Sequence, residues 1–105
     1  MIIVSSENII GKEITETIGL VKGEIVESKH LGKDFMAGLK NIVGGEVTGY
    51  TDMIREARQT ATERMIEEAE KLGADAIVSV RYGTSGVMQN AAEVIVYGTA
   101  VKLKK

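Results

Sequence analysis

The segment from about Thr51 to Leu72 constrains the fold more than any other, because its apolar residues recur every three or four positions. These residues are Ile54, Ala57, Ala61, Met65, Ala69 and Leu72. The spacing predicts an amphipathic helix that must bury one face against another element. Thr51 is the predicted N-cap with Asp52 in the first turn, and Lys71 followed by Gly73 is typical of a helix end.

Two segments before this helix have the patterns of β-strands. Residues 1–4 read MIIV, a short β-branched run that predicts a strand. In residues 14–28 the apolar side chains on even positions share one face, with Gly19 and Gly23 on the other. Those even positions are Ile14, Ile18, Leu20 and Val26. Because Lys22 and Glu24 interrupt that face, the alternation predicts a strand that is bent or bulged at its glycines.

Two more strand patterns follow the helix and predict a hairpin. The run ADAIVSVRYG places Ala76, Val78, Val80 and Tyr82 on one face. The run EVIVYGTAVKL places Ile95, Tyr97, Thr99, Val101 and Leu103 on one face. Between these runs, GTSG and QNAA are both turn candidates, and one of them forms the turn while the other forms a bulge. Sequence patterns do not decide between the two assignments.

The order of elements predicts an α+β fold, a small two-layer α/β sandwich with an antiparallel sheet packed by one long helix and a short helix. The short helix is predicted at residues 33–43, KDFMAGLKNIV, which place apolar side chains at helical spacing. We expect residues 1–105 to form a single domain. The predicted core consists mostly of Ile, Val, Ala and Met. That is a thin core for a chain of this length, which favours burial completed by other subunits.

Composition excludes several classes of function. A net charge of −2 and a pI near 5.4 disfavour nucleic-acid binding, which requires a basic face. The chain has no cysteine, and therefore neither a disulfide nor a thiolate metal site. No apolar run is long enough to span a membrane, and no export signal is visible, so we expect a cytoplasmic protein.

The pair Gly44-Gly45, within NIVGGEVTGY, has two interpretations. A phosphate-binding loop requires either a second spaced glycine followed by Lys-Ser/Thr, or glycines between a strand and a helix. Here a helix-like run precedes the pair and neither pattern is present. The glycines are therefore better explained as a sharp link between two helices.

Arg58 and Tyr50 are the other candidate site residues. Arg58 directly follows the apolar Ala57, at the edge of the predicted buried face, where a guanidinium needs a carboxylate partner such as Asp34, Glu46 or Glu24. An interface ion pair and a ligand clamp are both compatible with this position, and the interface is favoured. Tyr50 has the same two interpretations.

Metal ligands are sparse in the sequence. His30 is the single histidine, the five methionines offer weak thioethers at mostly core-like spacing, and the glutamates of residues 63–70 are spread around a solvated helix face. A catalytic serine or cysteine arrangement has no recognisable local signature here.

Several fragments together resemble one family. They are GLVKGE, IVGGEVTGY, EAR, the Met65/Ala69 stripe, LGADAIVSVRY and YGTAV, in order from about Ile14 to Leu103. The chain thereby resembles the YbjQ-like family of small bacterial and archaeal proteins, which carry a heavy-metal-binding label. It departs at Asp75, where the family commonly has Asn, an exchange compatible with a turn. The resemblance implies a small α/β sandwich assembled as a pentameric ring, with Gly44, Gly45, Tyr50 and Arg58 as signature positions.

Three hypotheses of function follow. The first is a non-enzymatic, homo-oligomeric module that binds a small ligand or ion at its subunit interfaces. The second is a metal-binding carrier or sensor, with a metal ion as cofactor, as the family label suggests. The third is an enzyme whose site is shared between subunits, for which several titratable groups must converge in one pocket.

Overall fold

The computed structural model describes residues 1–28, 48–88 and 91–105. Strands β1 (Ile2–Ile3) and β2 (Ile14–Ser28) precede helix α1 (Thr48–Lys71), which is followed by strands β3 (Ala76–Met88) and β4 (Ala91–Leu103). The strands form one sheet in the order β1-β3-β4-β2. This architecture confirms the predicted α+β fold. The predicted helix at 33–43 and the Gly44-Gly45 link lie outside the described residues.

The sheet is antiparallel at its centre and mixed at one edge. Strand β4 pairs antiparallel with both β2 and β3, whereas β1 runs parallel to β3, with Ile2 opposite Ala76. The parallel pair was not predicted, because β1 and β3 are far apart in sequence and no local pattern specifies their pairing. Strand β3 ends at Met88 and β4 begins at Ala91, so the GTSG segment belongs to β3 and does not form the hairpin turn.

Helix α1 begins earlier than predicted and ends where predicted. It starts at Thr48, so Thr51 is inside the helix, the predicted N-cap there is wrong and Asp52 lies beyond the first turn. At the other end Gly73 has a φ of 77°, its N–H bonds to the Glu70 carbonyl, and the Ala74 N–H bonds to the Ala69 carbonyl. This pair of hydrogen bonds is a Schellman motif, in which glycine adopts the left-handed conformation at low cost.

The core lies between α1 and one face of the sheet, which we call the inner face. Alanines and one methionine of α1 pack there, as the periodicity predicted. The buried helix residues are Met53, Ala57, Ala61, Met65 and Ala69, and those of the strands include Val21, Ile77, Val80, Val94, Val96 and Ala100. Because most of these side chains are small, the helix lies close to the sheet. The core is therefore excluded from water although it contains few large residues.

Gly23 is where the helix approaches the sheet most closely. A Cβ atom built on Gly23 would overlap the Ala61 carbonyl oxygen and lie 2.7 Å from the Met65 backbone nitrogen. Both neighbours are backbone atoms of α1, which cannot move without moving the helix. Glycine at this position therefore sets the distance between α1 and β2.

A bulge in β2 changes which of its side chains face the helix. Strand β2 shifts register between Thr17 and Gly19, where the Gly19 φ is 146°. After this bulge Val21 is buried against the helix, whereas Leu20 and Val26 are largely exposed. The expected bulge at a glycine is confirmed. The expected common face holds for Ile14, Leu20 and Val26, which lie on the side of the sheet away from the helix, and is wrong for Ile18, which packs against the core beneath the helix.

The opposite side of the sheet, which we call the outer face, is covered at one end. There Ala76, Val78 and Val101 form a small cluster beneath Val4 and Ile9 of the segment that follows β1. The carboxylate of Asp75 accepts a hydrogen bond of 2.9 Å from the Leu103 backbone N–H at this end. An asparagine side-chain oxygen can accept the same hydrogen bond, so aspartate can replace the asparagine that the family commonly has at position 75.

Candidate functional site

A bulge in β3 places Tyr82 on the helix side of the sheet. Val78 pairs with Thr99 and Arg81 pairs with Tyr97, so that Ser79 and Val80 together oppose the single residue Gly98. Ser79 adopts a φ of 54°, and its N–H donates to the Ser6 carbonyl at 2.9 Å. Such a two-against-one bulge reverses the alternation of the strand and re-aims every later side chain.

The bulge corrects the predicted facing of β3. Ala76 and Val78 belong to the outer cluster, whereas Ile77 and Val80 are buried in the core beneath α1. The sequence pattern had placed Val80 and Tyr82 on the same face as Val78. In the structure they lie on the inner face, and Tyr82 is brought to the side of the helix.

Helix α1 lies over β2 and β4 and barely contacts β3, so that Tyr82, on the inner face of β3, stands beside the helix and is 46% exposed. We call the resulting depression the Tyr82 groove. Its helix end is a cleft of about 260 Å³ lined by Arg55, Arg58, Gln59, Thr62, Glu63 and Tyr82. Its other end is a cleft of about 270 Å³ lined by Ile3, Val4, Ser5, Val80 and Tyr82. The groove is therefore cationic and polar at the helix and mainly apolar near β1.

A chain of hydrogen bonds crosses the groove from the strand to the helix. The Thr62 hydroxyl donates to the Arg58 carbonyl at 2.7 Å, and Thr62 Oγ1 lies 2.9 Å from the Tyr82 phenol oxygen. A threonine hydroxyl has one proton. Since that proton points to Arg58, the Tyr82 hydroxyl must donate to Thr62. The phenol oxygen can then only accept a further hydrogen bond, and the Tyr82 ring is held in one orientation.

Arg58 is exposed on the wall of the groove and also borders a third cleft, of about 560 Å³, with Ile54, Tyr82, Gly83 and Thr84. Among the residues that the structure describes, neither Arg55 nor Arg58 forms an ion pair. Within the described subunit Arg58 does not pair with Glu24, and Arg64 is the helix residue that approaches Glu24, donating to its backbone carbonyl at 2.8 Å. An ion pair of Arg58 across a subunit interface stays a prediction. Asp34 and Glu46, the other predicted partners, lie outside the described residues.

The structure gives the positions of two of the four predicted site residues, Tyr50 and Arg58, without testing their role. Arg58 lines the groove, but Tyr50 lies in the first turn of α1 and does not line it. Tyr50 and Arg58 are eight positions apart on one helix, a separation of about 12 Å along its axis. Gly44 and Gly45 are outside the described residues, and their role stays a prediction.

Metal coordination was the second possibility considered from the sequence. Within residues 1–28, 48–88 and 91–105, no group of three or more His, Asp or Glu side chains converges. Heavy metals prefer thiolate and imidazole ligands, the chain has no cysteine, and His30 lies in the segment not described. The described residues therefore do not fit a heavy-metal ion.

Comparison with known proteins identifies the family. A family model described as "putative heavy-metal-binding", the YbjQ family, matches residues 1–104. The chain belongs to the YbjQ family. A UPF0145 protein of Clostridium novyi (strain NT) is 61% identical over 103 residues, which are 98% of this chain and 99% of the relative. A UPF0145 protein of Thermosipho africanus is 60% identical over 105 residues, 100% of this chain and 97% of the relative.

A solved structure shares the fold. The crystal structure of a protein of unknown function from Pediococcus pentosaceus, described as a member of the DUF74 family, superposes with a TM-score of 0.63. It covers 99% of this chain and 98% of its own, at 19% sequence identity, so the likeness concerns the fold alone. Among the helical residues described, none forms a segment long and apolar enough to cross a membrane.

Sequence reasoning missed the partners of Arg58 in the groove. Thr62 follows Arg58 by four residues and so lies on the same side of the helix, a signal that was present in the sequence. Tyr82 gave no such signal. Its placement depends on a bulge at Ser79, and serine is not a residue type that predicts a positive φ.

Proposed function

We propose that the protein is a homo-oligomeric, non-enzymatic module that forms a pentameric ring and binds a small ligand beside Arg58. The supporting observation is the uncovered part of the outer face. Leu20 is 67% exposed, Val26 59% and Tyr97 42%, and these side chains lie on the sheet surface opposite the helix. Leu20 and Tyr97 are near neighbours on this surface, whereas Lys22 and Glu24 separate Leu20 from Val26 along β2. Large exposed apolar side chains grouped on one surface are typical of subunit interfaces.

The proportions of the subunit support the same proposal. The described residues have a radius of gyration of 17.1 Å and principal extents of 53 × 25 × 17 Å. A compact chain of this length has a radius of gyration of about 13 Å. An elongated subunit with a thin core buries less of its own apolar surface, and contacts between subunits restore that burial.

A ring also explains how an interface and a ligand site become neighbours. In a closed ring, one surface of each subunit contacts a different surface of the next. The outer face is one side of this two-layer subunit, and the side of α1 that carries Tyr50 and Arg58 is the other. Head-to-tail contacts would therefore bring a neighbour to the rim of the Tyr82 groove.

Light scattering coupled to size-exclusion chromatography tests the assembly. We expect a mass of five subunits of 11.3 kDa each at micromolar concentration. Leu20→Glu places a charge on the proposed interface and should produce monomers. Ile10→Glu is the matched control, because Ile10 is already fully exposed in the loop before β2. A monomeric wild-type protein would overturn the proposal, as would equal assembly of the Leu20 and Ile10 variants.

A further inference from the structure

The Tyr82 groove has two chemically different ends that meet at one side chain. Tyr82 lines both the cleft at the helix and the cleft near β1. The helix end offers the guanidinium groups of Arg55 and Arg58, and the β1 end is lined by the apolar residues Ile3, Val4 and Val80. We infer that the groove binds a small amphipathic anion, whose carboxylate or phosphate lies at Arg58 and whose apolar part lies on Tyr82 and Val80.

Charge favours an anionic head group at the helix end. Two arginines and one carboxylate, that of Glu63, line this cleft. The carboxylate is engaged within the helix, since the Gln59 amide donates to it at 3.3 Å. Guanidinium groups bind carboxylates and phosphates through paired, charge-assisted hydrogen bonds. The cleft thus carries an excess of positive charge on a chain whose net charge is −2.

The proton arrangement around Tyr82 assigns a role to its ring. The phenol proton is directed to Thr62, so the hydroxyl has none to donate to an anion. The side chain is 46% exposed, and its ring forms the floor between the two ends of the groove. Tyr82 therefore supplies apolar contact, and Arg58 supplies the hydrogen bonds to the head group.

The far wall of the apolar end is formed by β1 and the residues that follow it. Arg81, on the other side of β3, donates to the Ser5 carbonyl at 2.8 Å and so fixes this wall in place. The Val80 N–H donates to the Val4 carbonyl at 3.0 Å. A cleft of about 270 Å³ held by backbone hydrogen bonds accommodates a short aliphatic chain or one aromatic ring.

This inference rests on the ligand-binding part of the proposed function and names the class of ligand. Isothermal titration calorimetry with octanoate and with octyl phosphate tests it. Acetate and inorganic phosphate carry the head groups alone, and octanol carries the chain without a charge. We expect both amphipathic anions to bind at least tenfold more tightly than the three partial probes. The tighter of the two anions identifies the head group, carboxylate or phosphate, that the groove prefers.

Variants distinguish anion binding in the groove from attraction of the anion by the overall charge of the protein. Arg58→Gln should weaken octanoate binding about tenfold or more, because it removes the charge-assisted hydrogen bonds. Arg64→Gln is the matched control, since it makes the same change of charge on the same helix at a residue outside the groove. Tyr82→Phe should leave affinity within about twofold, because the ring is retained.

Three outcomes overturn the inference. They are equal loss of affinity in Arg58→Gln and Arg64→Gln, equal affinity for acetate and octanoate, and a tenfold loss in Tyr82→Phe. Light scattering on the same samples keeps the two proposals distinct. Rings that do not bind the anions contradict the groove and leave assembly standing, whereas monomers that bind them contradict assembly and leave the groove standing.

Discussion

The two faces of the sheet both carry apolar side chains, but these are buried on one face and largely exposed on part of the other. On the inner face, small residues and one methionine pack directly against helix α1, and Val21, Ala61 and Met65 are fully buried. On the outer face, away from the cluster under Val4, Leu20 and Tyr97 remain exposed. The inner face thus stabilises the subunit itself, while the outer face around Leu20 and Tyr97 has no covering within the described residues. Substitutions on the inner face should therefore lower the stability of the subunit, whereas substitutions on the outer face should change its assembly.

The largest effect is expected at the inner face, for Gly23→Ala. The added Cβ would overlap the backbone of α1 at Ala61, so the helix must move away from β2. Overpacking against backbone atoms costs about 3 kcal/mol or more of unfolding free energy. Urea denaturation measures it. Gly86→Ala is the matched control, because no atom lies within 4 Å of a Cβ built there. Equal destabilisation by both substitutions would contradict the close approach of helix and strand.

A somewhat smaller effect is expected for Gly98→Ala, opposite the bulge in β3. A Cβ on Gly98 would lie 2.7 Å from Ile77 Cγ2, 3.1 Å from Val80 Cγ2 and 3.0 Å from the Val78 carbonyl oxygen. The two side-chain methyls can shift, whereas the carbonyl oxygen cannot shift without moving the bulge. We expect a loss of about 1–3 kcal/mol in urea denaturation.

The Gly98 variant also tests the placement of Tyr82. If the bulge is displaced, Tyr82 moves relative to Thr62, and its ring resonances in the nuclear magnetic resonance spectrum shift. A destabilised variant with unchanged Tyr82 resonances would show that the bulge and the groove are independent. A stable variant would contradict the packing of the bulge against Gly98.

The sequence predicted the helix, the four strands and the α+β class because these depend on periodicity, which is local. Ala57, Ala61, Met65 and Ala69 are buried as their spacing indicated. The facing of Ile18 in β2, and of β3 beyond Val78, was predicted incorrectly because one extra residue in a strand reverses every later side chain. Gly19 marks one of these positions. Ser79 does not, since its positive φ is held by pairing with Ser6, a residue distant in sequence.

Of the residues that line the groove, only Arg58 on the helix was named as a candidate from the sequence. Arg58 is on the exposed edge of α1, as its position after Ala57 indicated. The placement of its neighbour Tyr82 depends on the bulge, and the exposure of Tyr82 beside the helix depends on where α1 lies across the sheet. Neither property is encoded in a local pattern. The predicted role of Tyr50 at a subunit interface is a proposal that the described subunit does not test.

A third prediction concerns how thermal stability depends on protein concentration. Leu20→Glu leaves the inner face intact, so the isolated subunit should change by about 0.5 kcal/mol or less. The assembled protein gains stability by mass action, and its melting temperature rises with concentration. We expect differential scanning fluorimetry to show that rise for the wild type and for Gly23→Ala but not for Leu20→Glu. A rise in all three would place the interface elsewhere.

The smallest effect is expected in the Tyr82 groove, which is polar and open to water. A double-mutant cycle of Thr62→Val and Tyr82→Phe measures the coupling of the two hydroxyl groups in urea denaturation. Intramolecular hydrogen bonds contribute about 0.5–1.5 kcal/mol, and the partial exposure of Tyr82 favours the lower end because water replaces the lost partner. A coupling near 0.5 kcal/mol fits an open groove whose residues are free to serve a ligand. A coupling above 1.5 kcal/mol would instead make this contact part of the packed core, and the contrast between the buried inner face and the open groove beside it would no longer hold.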